Sequence, residues 1–472
     1  MSNGNGNGNG SAPVSRPEEV QVVTRRLRSH PEDSWTIERA LGDDAYSASR
    51  KAIMDMSPDE LIELVKESGL RGRGGAGFPT GVKWSFVPKD VFPKYVVVNH
   101  DEGEPGTFKD RELAEMDPHQ LIEGITIAAW ANQATKAFIY CRGEFALGSR
   151  RLDRAIREAY ENGFLGRRIY GSNFDLDIVL HRGAGAYICG EESALLDSLE
   201  GHRGQPRLRP PFPAVKGLYG KPTVINNTET LSSLPPIVQN GAAWFKQWGT
   251  EKSPGTKMLS VSGHVNKPAN YEVPLGTSLA HVLELAGGMR NGGTLKAIIP
   301  GGASAPLLTS TDVAVDFEAL KDAGTMLGSG AIVFMDESTC MVRNALVTTE
   351  FFEHESCGKC TPCREGTWWA VKVLERIEHG EGRQEDMDLL VDIADGMDGR
   401  AFCPLGDAAA WALRSNVKLF REEFEQHVAE GACPFEGRHL AYAGSRDVGP
   451  GNAGIQPQPS AGIAVDRDEG HI

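Results

Sequence analysis

Residues 94–106 read KYVVVNHDEGEPG, a β-branched run that ends in an amide and three carboxylates. A short, unbroken apolar run of this kind fits a strand buried on both faces, as in a parallel sheet. Its polar tail, Asn99, Asp101, Glu102 and Glu104, then lies beyond the strand's carboxyl end, where open α/β sheets bind ligands. Lys136–Cys141 (KAFIYC) and Leu176–Leu180 (LDIVL) read as further strands, set between helical stretches. Strands alternating with helices predict an α/β layer.

On the amino-terminal side, Leu61, Ile62, Leu64 and Val65 predict a helix over Pro58–Ser68, stopped by Gly69. Residues 69–84, GLRGRGGAGFPTGVKW, follow. Gly72, Gly74 and Gly77 satisfy G-x-G-x-x-G, but a helix precedes them and Pro79 and Gly81 interrupt what comes next, so this is not the usual dinucleotide turn. The glycines let backbone approach a flat ring or a phosphate, and Arg71, Arg73 and Lys83 are candidate cationic donors. A flexible surface loop is the bland alternative. Bare carboxylates repel a pyrophosphate, so Asp101 and its neighbours are expected to face sugar or nicotinamide, with the glycine loop nearer the anionic groups. Residues 183–193 (GAGAYICGEES) and 223–230 (TVINNTET) place polar groups at the edge of a glycine turn or helix start.

A second unit begins near Thr256. MLSVSGHV and YEVPLGTSL alternate like paired strands, a short helix follows at Leu279–Ala286, and LKAIIPGG and GAIVFMD supply two more strands. Four strands about one helix predict a β-grasp domain. From Met341 the pattern turns helical, with apolar spacing over Thr367–His379, Gln384–Ala394 and Asp407–Val428. The domains expected are a disordered Gly/Asn-rich tail over 1–35, an α/β unit over 36–254, the β-grasp unit over 255–338, a helical bundle over 339–440 and a disordered tail over 441–472.

Cys357-Gly-Lys-Cys360-Thr-Pro-Cys363 is followed, 40 residues later, by Cys403-Pro404. Three thiolates on one tight loop and one remote thiolate can surround a cubane's four irons. Structural zinc usually takes two separated pairs instead. Zinc and free thiols remain as alternatives, and Cys340, at a strand end, and Cys433, 70 residues past the loop, are rival fourth ligands. Cys141 and Cys189 read as small buried hydrophobes. A net charge of −15 argues against nucleic-acid binding. No apolar run approaches the roughly 20 residues that cross a bilayer, and the first residues have no signal-peptide pattern, so a cytoplasmic location is expected.

These segments, in this order, resemble the flavoprotein subunit of NADH-quinone oxidoreductase, respiratory complex I; they are similar also to the equivalent subunits of NAD-linked hydrogenases and formate dehydrogenases. The resemblance spans about residues 55–436. It implies an α/β FMN-binding domain of modified Rossmann-like fold, a ubiquitin-like β-grasp (SLBB-like) domain and a C-terminal helical bundle carrying one 4Fe-4S cluster. Carried over by motif, FMN contacts fall on Gly72, Arg73, Gly74, Lys83, Asn99, Asp101, Gly190, Glu191, Asn226 and Asn227. NADH contacts fall on Phe78, Phe86 and Phe212, as aromatic faces for adenine, and on Glu104 and Glu192 near the flavin. Cys357, Cys360, Cys363 and Cys403 are the metal ligands.

The activity implied is that of an NADH dehydrogenase. FMN accepts a hydride from NADH, and single electrons pass to the 4Fe-4S cluster and on towards quinone through partner subunits, with no side chain acting as nucleophile or acid. The partners implied are a thioredoxin-like 2Fe-2S subunit and a large iron-sulfur subunit of complex I, on the cytoplasmic face of a bacterial plasma membrane that only the partners enter. The alternative is the diaphorase subunit of an NAD-linked hydrogenase or formate dehydrogenase. Such subunits often carry an added domain with its own cysteines, and this chain has no spare cysteine cluster. A protein whose cluster merely braces a bundle is a rival of another class.

Overall fold

Val96, Val97 and Val98 are fully buried, as a strand inside a parallel sheet requires. The structure, a computed structural model, describes residues 19–435. Its first sheet comprises β1 (Tyr95–His100), β2 (Lys136–Cys141), β3 (Asp177–Arg182) and β4 (Thr223–Asn227), all parallel, in the order β3-β2-β1-β4. The chain steps outward from β1 to β3 and then returns to the other side of β1. The order therefore reverses between β1 and β4, which opens a crevice at their carboxyl ends. Residues 223–230, expected to be a turn edge or helix start, are a strand running directly into the helix Thr228–Ser232, which Asn227 Oδ1 caps by accepting from Thr230 N at 3.3 Å.

The second sheet comprises β5 (Thr256–Gly263), β6 (Ala269–Pro274), β7 (Leu295–Ile299) and β8 (Ala331–Asp336), in the order β6-β5-β8-β7. β5 and β8 are parallel and the outer pairs antiparallel, around the helix Leu279–Leu285. This is the β-grasp arrangement, with one addition, the short helix Phe317–Asp322. The bundle follows as Met341–Glu355, Thr361–Glu378, Asp386–Met397, Pro404–Leu419 and Arg421–Glu430. The single helix expected over 407–428 is two, because Phe420 leaves helical geometry (φ −125°, ψ 29°) and serves as the junction.

The expected tail over 1–35 is corrected for residues 19–35. Val22, Val23 and Leu27 are buried, and the Glu272 carboxylate on β6 accepts hydrogen bonds from the backbone N–H of Val22 (3.1 Å), Val23 (3.0 Å) and Thr24 (2.9 Å) and from Thr24 Oγ1 (2.7 Å). A buried carboxylate gathers donors in this way, since an unmet charge there is costly. Residues 1–18 and the tail over 441–472 lie outside the described residues.

The α/β and β-grasp units are joined by buried charge. Lys109 Nζ lies 2.7 Å and Lys257 Nζ 2.6 Å from Glu229 Oε2, and Met258 N donates to Glu229 Oε1 at 2.8 Å. Burial opposes ionisation of Glu229, but Lys109, Lys257 and Arg73 outweigh it and hold the carboxyl below its usual range.

Candidate functional site

Above the crevice between β1 and β4 lies a cavity of about 370 Å³ where all three units meet. The α/β unit contributes Gly74, Asn99, Asp101, Glu104, Tyr187, Gly190, Glu191 and Asn227. Ser304 and Ser329 line it from the β-grasp unit, and Cys403, Leu405 and Trp411 from the bundle. A wall of this breadth, with amides and carboxylates at strand ends, suits a flat ligand bearing hydroxyls and ring N–H groups.

Several of these groups are held in place by local bonds. Asn99 Nδ2 donates to Gly190 O at 2.7 Å, and Asn227 Nδ2 to Asp110 Oδ2 at 2.6 Å. Glu191 accepts from the N–H of Ser193 and Ala194, both at 3.0 Å, capping the helix Glu192–Leu199. Glu104 accepts from Tyr187 Oη at 2.6 Å and from Ser304 N at 2.7 Å, and burial raises its pKa. Asp101 differs: its Oδ1 is shielded and meets no donor among the described residues. Burial, opposed by Arg142, pushes its carboxyl up to about 7. An unmet carboxylate oxygen on a residue that lines the cavity is a partner for a ligand hydroxyl, so the donor set fits a flavin and its ribityl chain.

Asp101 carries a pH prediction. Its folded pKa lies above the unfolded value of about 3.9, so between those values the folded state binds the extra proton and stability falls as pH rises, levelling above about 7. In FMN-free protein, the Tm of Asp101→Asn relative to wild type should therefore climb from pH 4 to 7 and then plateau. A Tm difference independent of pH would refute the assignment.

Other predicted contacts do not line the cavity. Arg73, proposed as a cationic donor, is turned away: it is 1% exposed, its guanidinium donates to Pro254 O at 3.1 Å, and burial lowers its pKa to about 10. Arg71 is likewise engaged, with Glu318 at 2.5 Å. Lys83 Nζ donates to Glu192 Oε2 (3.0 Å) and Ile225 O (2.8 Å), and Arg209 meets Glu192 Oε1 at 3.1 Å. Burial disfavours the Glu192 anion, but these two cations hold its pKa below the usual value. Asn226 Oδ1 accepts from Trp84 Nε1 at 2.9 Å inside the sheet, and Gly72 N pairs with Phe78 O. Phe78 and Phe86 are 48% and 56% exposed with ring centroids 6.2 Å apart, and Phe212 is 57% exposed. Open aromatic faces at that exposure are available to stack a base. The sequence reading missed Tyr187, though it lies within the quoted segment 183–193, and Ser304, Ser329 and Trp411, which lie outside the quoted binding segments.

The four cysteines of the metal constellation, Cys357, Cys360, Cys363 and Cys403, line one small cavity with Ile188, Pro206, Phe402 and Leu405. Cys360 is the N-cap of the helix Thr361–Glu378 and Cys403 that of Pro404–Leu419. Two helix N-termini thus point partial positive charge at the thiolates of an anionic cluster. Burial pushes the Cys363 thiol up to about 11 and Cys403 up to about 12, so bound cationic iron is what would stabilise their thiolates. The loop is clamped from the α/β side, where Gln205 Nε2 donates to Cys357 O at 3.3 Å and Lys359 Nζ to Pro206 O at 2.5 Å. These residues fit a 4Fe-4S cluster. Cys340 and Cys433, the rival ligands, line neither cavity.

Comparison with known proteins gives family matches over most of the chain. Residues 65–236 match the Nuo51 FMN-binding domain, 258–306 the SLBB domain and 343–427 the NADH-ubiquinone oxidoreductase-F iron-sulfur binding region. The NADH-quinone oxidoreductase F subunit of Streptomyces coelicolor is 53% identical over 438 residues, 92% of this chain and 97% of that one. Its counterpart in Mycobacterium bovis is 56% identical over 416 residues, 86% and 93% of the two chains. A solved NAD+-reducing [NiFe]-hydrogenase in its H2-reduced state superposes with a TM-score of 0.74 at 38% identity, over 83% of this chain and 65% of that one.

Proposed function

The chain belongs to the family of NADH-quinone oxidoreductase F subunits, and we propose that it divides its work between the two adjoining cavities. Its activity is that of an NADH dehydrogenase subunit, with FMN and one 4Fe-4S cluster as cofactors. The observation that carries the division of labour is shared walling: Ile188, Cys403 and Leu405 line both cavities. One layer of side chains is thus all that separates the flavin's place from the cluster's.

Bound there, FMN would supply the exchange between paired and single electrons, and the cluster would supply one-electron transfer. The protein's own residues position and shield. Asn99, Asp101, Gly190, Glu191 and Asn227 would line the flavin's place with Gly74, while Gly72 and Arg73, whose N–H groups donate to Phe78 O and Thr230 Oγ1, would hold the glycine loop in shape. Lys83 and Asn226 support this wall from behind. Phe78, Phe86 and Phe212 offer faces to adenine, and Glu104 and Glu192 polar contacts to NADH. Cys357, Cys360, Cys363 and Cys403 hold the cluster, and Ile188 and Leu405 keep the partition apolar and dry.

As a member of this family, the chain works within a multi-subunit complex. The finer reading is that, on the cytoplasmic face of the membrane, it is flanked by a thioredoxin-like 2Fe-2S subunit and a large iron-sulfur subunit. No helix among the described residues is long and apolar enough to cross a membrane, so attachment through partners fits. Trp368 and Trp369, 46% and 52% exposed and just past Cys363 on the same helix, are apt contacts for such a partner. The hydrogenase alternative is less well supported, since relatives named for the quinone enzyme share 50–57% identity and the solved hydrogenase 38%.

Glu192→Gln tests the assignment in the assembled enzyme. Losing one charged contact made before the electron paths diverge should lower NADH-ferricyanide and NADH-quinone rates by a common factor of about ten, equivalent to about 1.4 kcal/mol. Unequal losses would remove Glu192 from the shared step.

A further inference from the structure

Cys340, Glu378, His427 and Cys433 converge at the far end of the bundle from the cysteine loop. Each offers one ligand atom, and the four atoms lie within 4.8 Å of one another. We propose that they form a second metal site, built for one zinc ion; the inference stands independently of how the flavin and cluster residues are assigned.

Four of the six ligand-ligand distances come close to the edges of a tetrahedron. With zinc bonds of about 2.3 Å to sulfur and about 2.0–2.2 Å to nitrogen and oxygen, the ligand-ligand edges come to about 3.3–3.8 Å. Here Cys340 Sγ stands 3.8 Å from Cys433 Sγ, 3.3 Å from His427 Nε2 and 3.9 Å from Glu378 Oε2, and His427 Nε2 lies 3.8 Å from Glu378 Oε2.

The imidazole is already oriented as a ligand. His427 Nδ1 donates to Glu423 O at 2.7 Å, and a carbonyl only accepts, so Nδ1 carries the proton and the Nε2 lone pair faces the sulfurs. That backbone bond is the usual means by which a metal-bound histidine is held. The ring is fully buried. Cys340 is the N-cap of the helix Met341–Glu355, and its Sγ accepts from Arg343 N at 3.3 Å, which fixes the sulfur's place beside the imidazole. On binding, Cys340 and Cys433 would each release a proton to solvent, and no electrons move.

Two thiolate-bearing sites would then sit at opposite ends of one helix. Thr361–Glu378 carries Cys363 near its start and Glu378 at its end, about 22 Å apart at about 1.5 Å per residue. The second site gathers ligands from the helix starting at Met341, from the end of Thr361–Glu378, from Arg421–Glu430 and from the segment after Gly431. Its role is to pin the last helix of 10 residues, whose buried side chains are Phe424 and His427. A Cys340–Cys433 disulfide is the competing chemistry, but it would leave the buried His427 Nε2 lone pair without a metal to meet.

The test uses the full-length protein with its FMN and cluster, purified without chelators. Elemental analysis should find one zinc per chain, and Cys433→Ser and His427→Ala should lose it while iron and FMN content hold. Cobalt(II) in place of zinc should give thiolate-to-metal charge-transfer absorption and the d–d bands of a tetrahedral site. The proposal fails if wild-type protein, reduced and incubated with Zn2+, binds no zinc beyond a trace, or if both variants keep the wild-type amount. Recovery of a Cys340–Cys433 peptide two hydrogens lighter under non-reducing conditions would also overturn it, in favour of the disulfide.

Discussion

Cys360→Ser in the assembled complex should abolish NADH-quinone turnover yet leave the NADH-ferricyanide rate within about a factor of two. Ferricyanide takes electrons from the reduced flavin directly, whereas quinone is reached through the iron-sulfur centres. Cys360 lines the small cysteine cavity and not the large one, and it caps the helix Thr361–Glu378. Removing its thiolate therefore spares the walls around Asp101 and Asn227. Metal ligation contributes to folding, so FMN content and helical circular dichroism must match wild type before the rates are compared. A folded, FMN-loaded complex that lacks the cluster and still reduces quinone at the wild-type rate would sink the proposed order of carriers.

Gly74→Val should deprive the chain of FMN. A Cβ at Gly74 would meet Asn227 Cβ at 2.9 Å and Cγ at 3.3 Å, and valine's two methyls go further. Asn227 has little room to retreat, because it caps the helix Thr228–Ser232 and donates to Asp110. The strain of such overpacking is about 1–3 kcal/mol, or about a 5- to 150-fold loss of affinity if it falls on the bound state. Gly74→Ala should lose less. Flavin fluorescence after denaturing the purified variant gives the measure, and wild-type occupancy in Gly74→Val would count against Gly74 as the floor of the flavin site.

The parallel strands were legible because burial on both faces leaves an unbroken β-branched run, as Val96–Val98 show. The cysteine loop was legible because three of the four cysteines that line one small cavity lie close in sequence. Cys403 was harder: only the fold brings it beside Cys357. The direction of Arg73 was not legible at all, since it depends on a carbonyl at Pro254, 181 residues away. Nor was the docking of residues 20–24 on Glu272, where backbone does the bonding and side-chain periodicity is silent. β4 went unread because its two asparagines hide a strand that is otherwise buried. The split at Phe420 lacks the glycine or proline that usually marks a break.

The Lys109–Glu229–Lys257 bridge has a dynamic consequence. Were the α/β and β-grasp units to swing apart, Lys257 and Lys109 would part from Glu229 and all three would meet water, so the bridge resists opening by its net strength alone. Since the cavity is walled jointly by these units, its width is set before any nucleotide arrives. Under the proposed assignment NADH would meet a slot that already exists, with no closing of these two units required to form it.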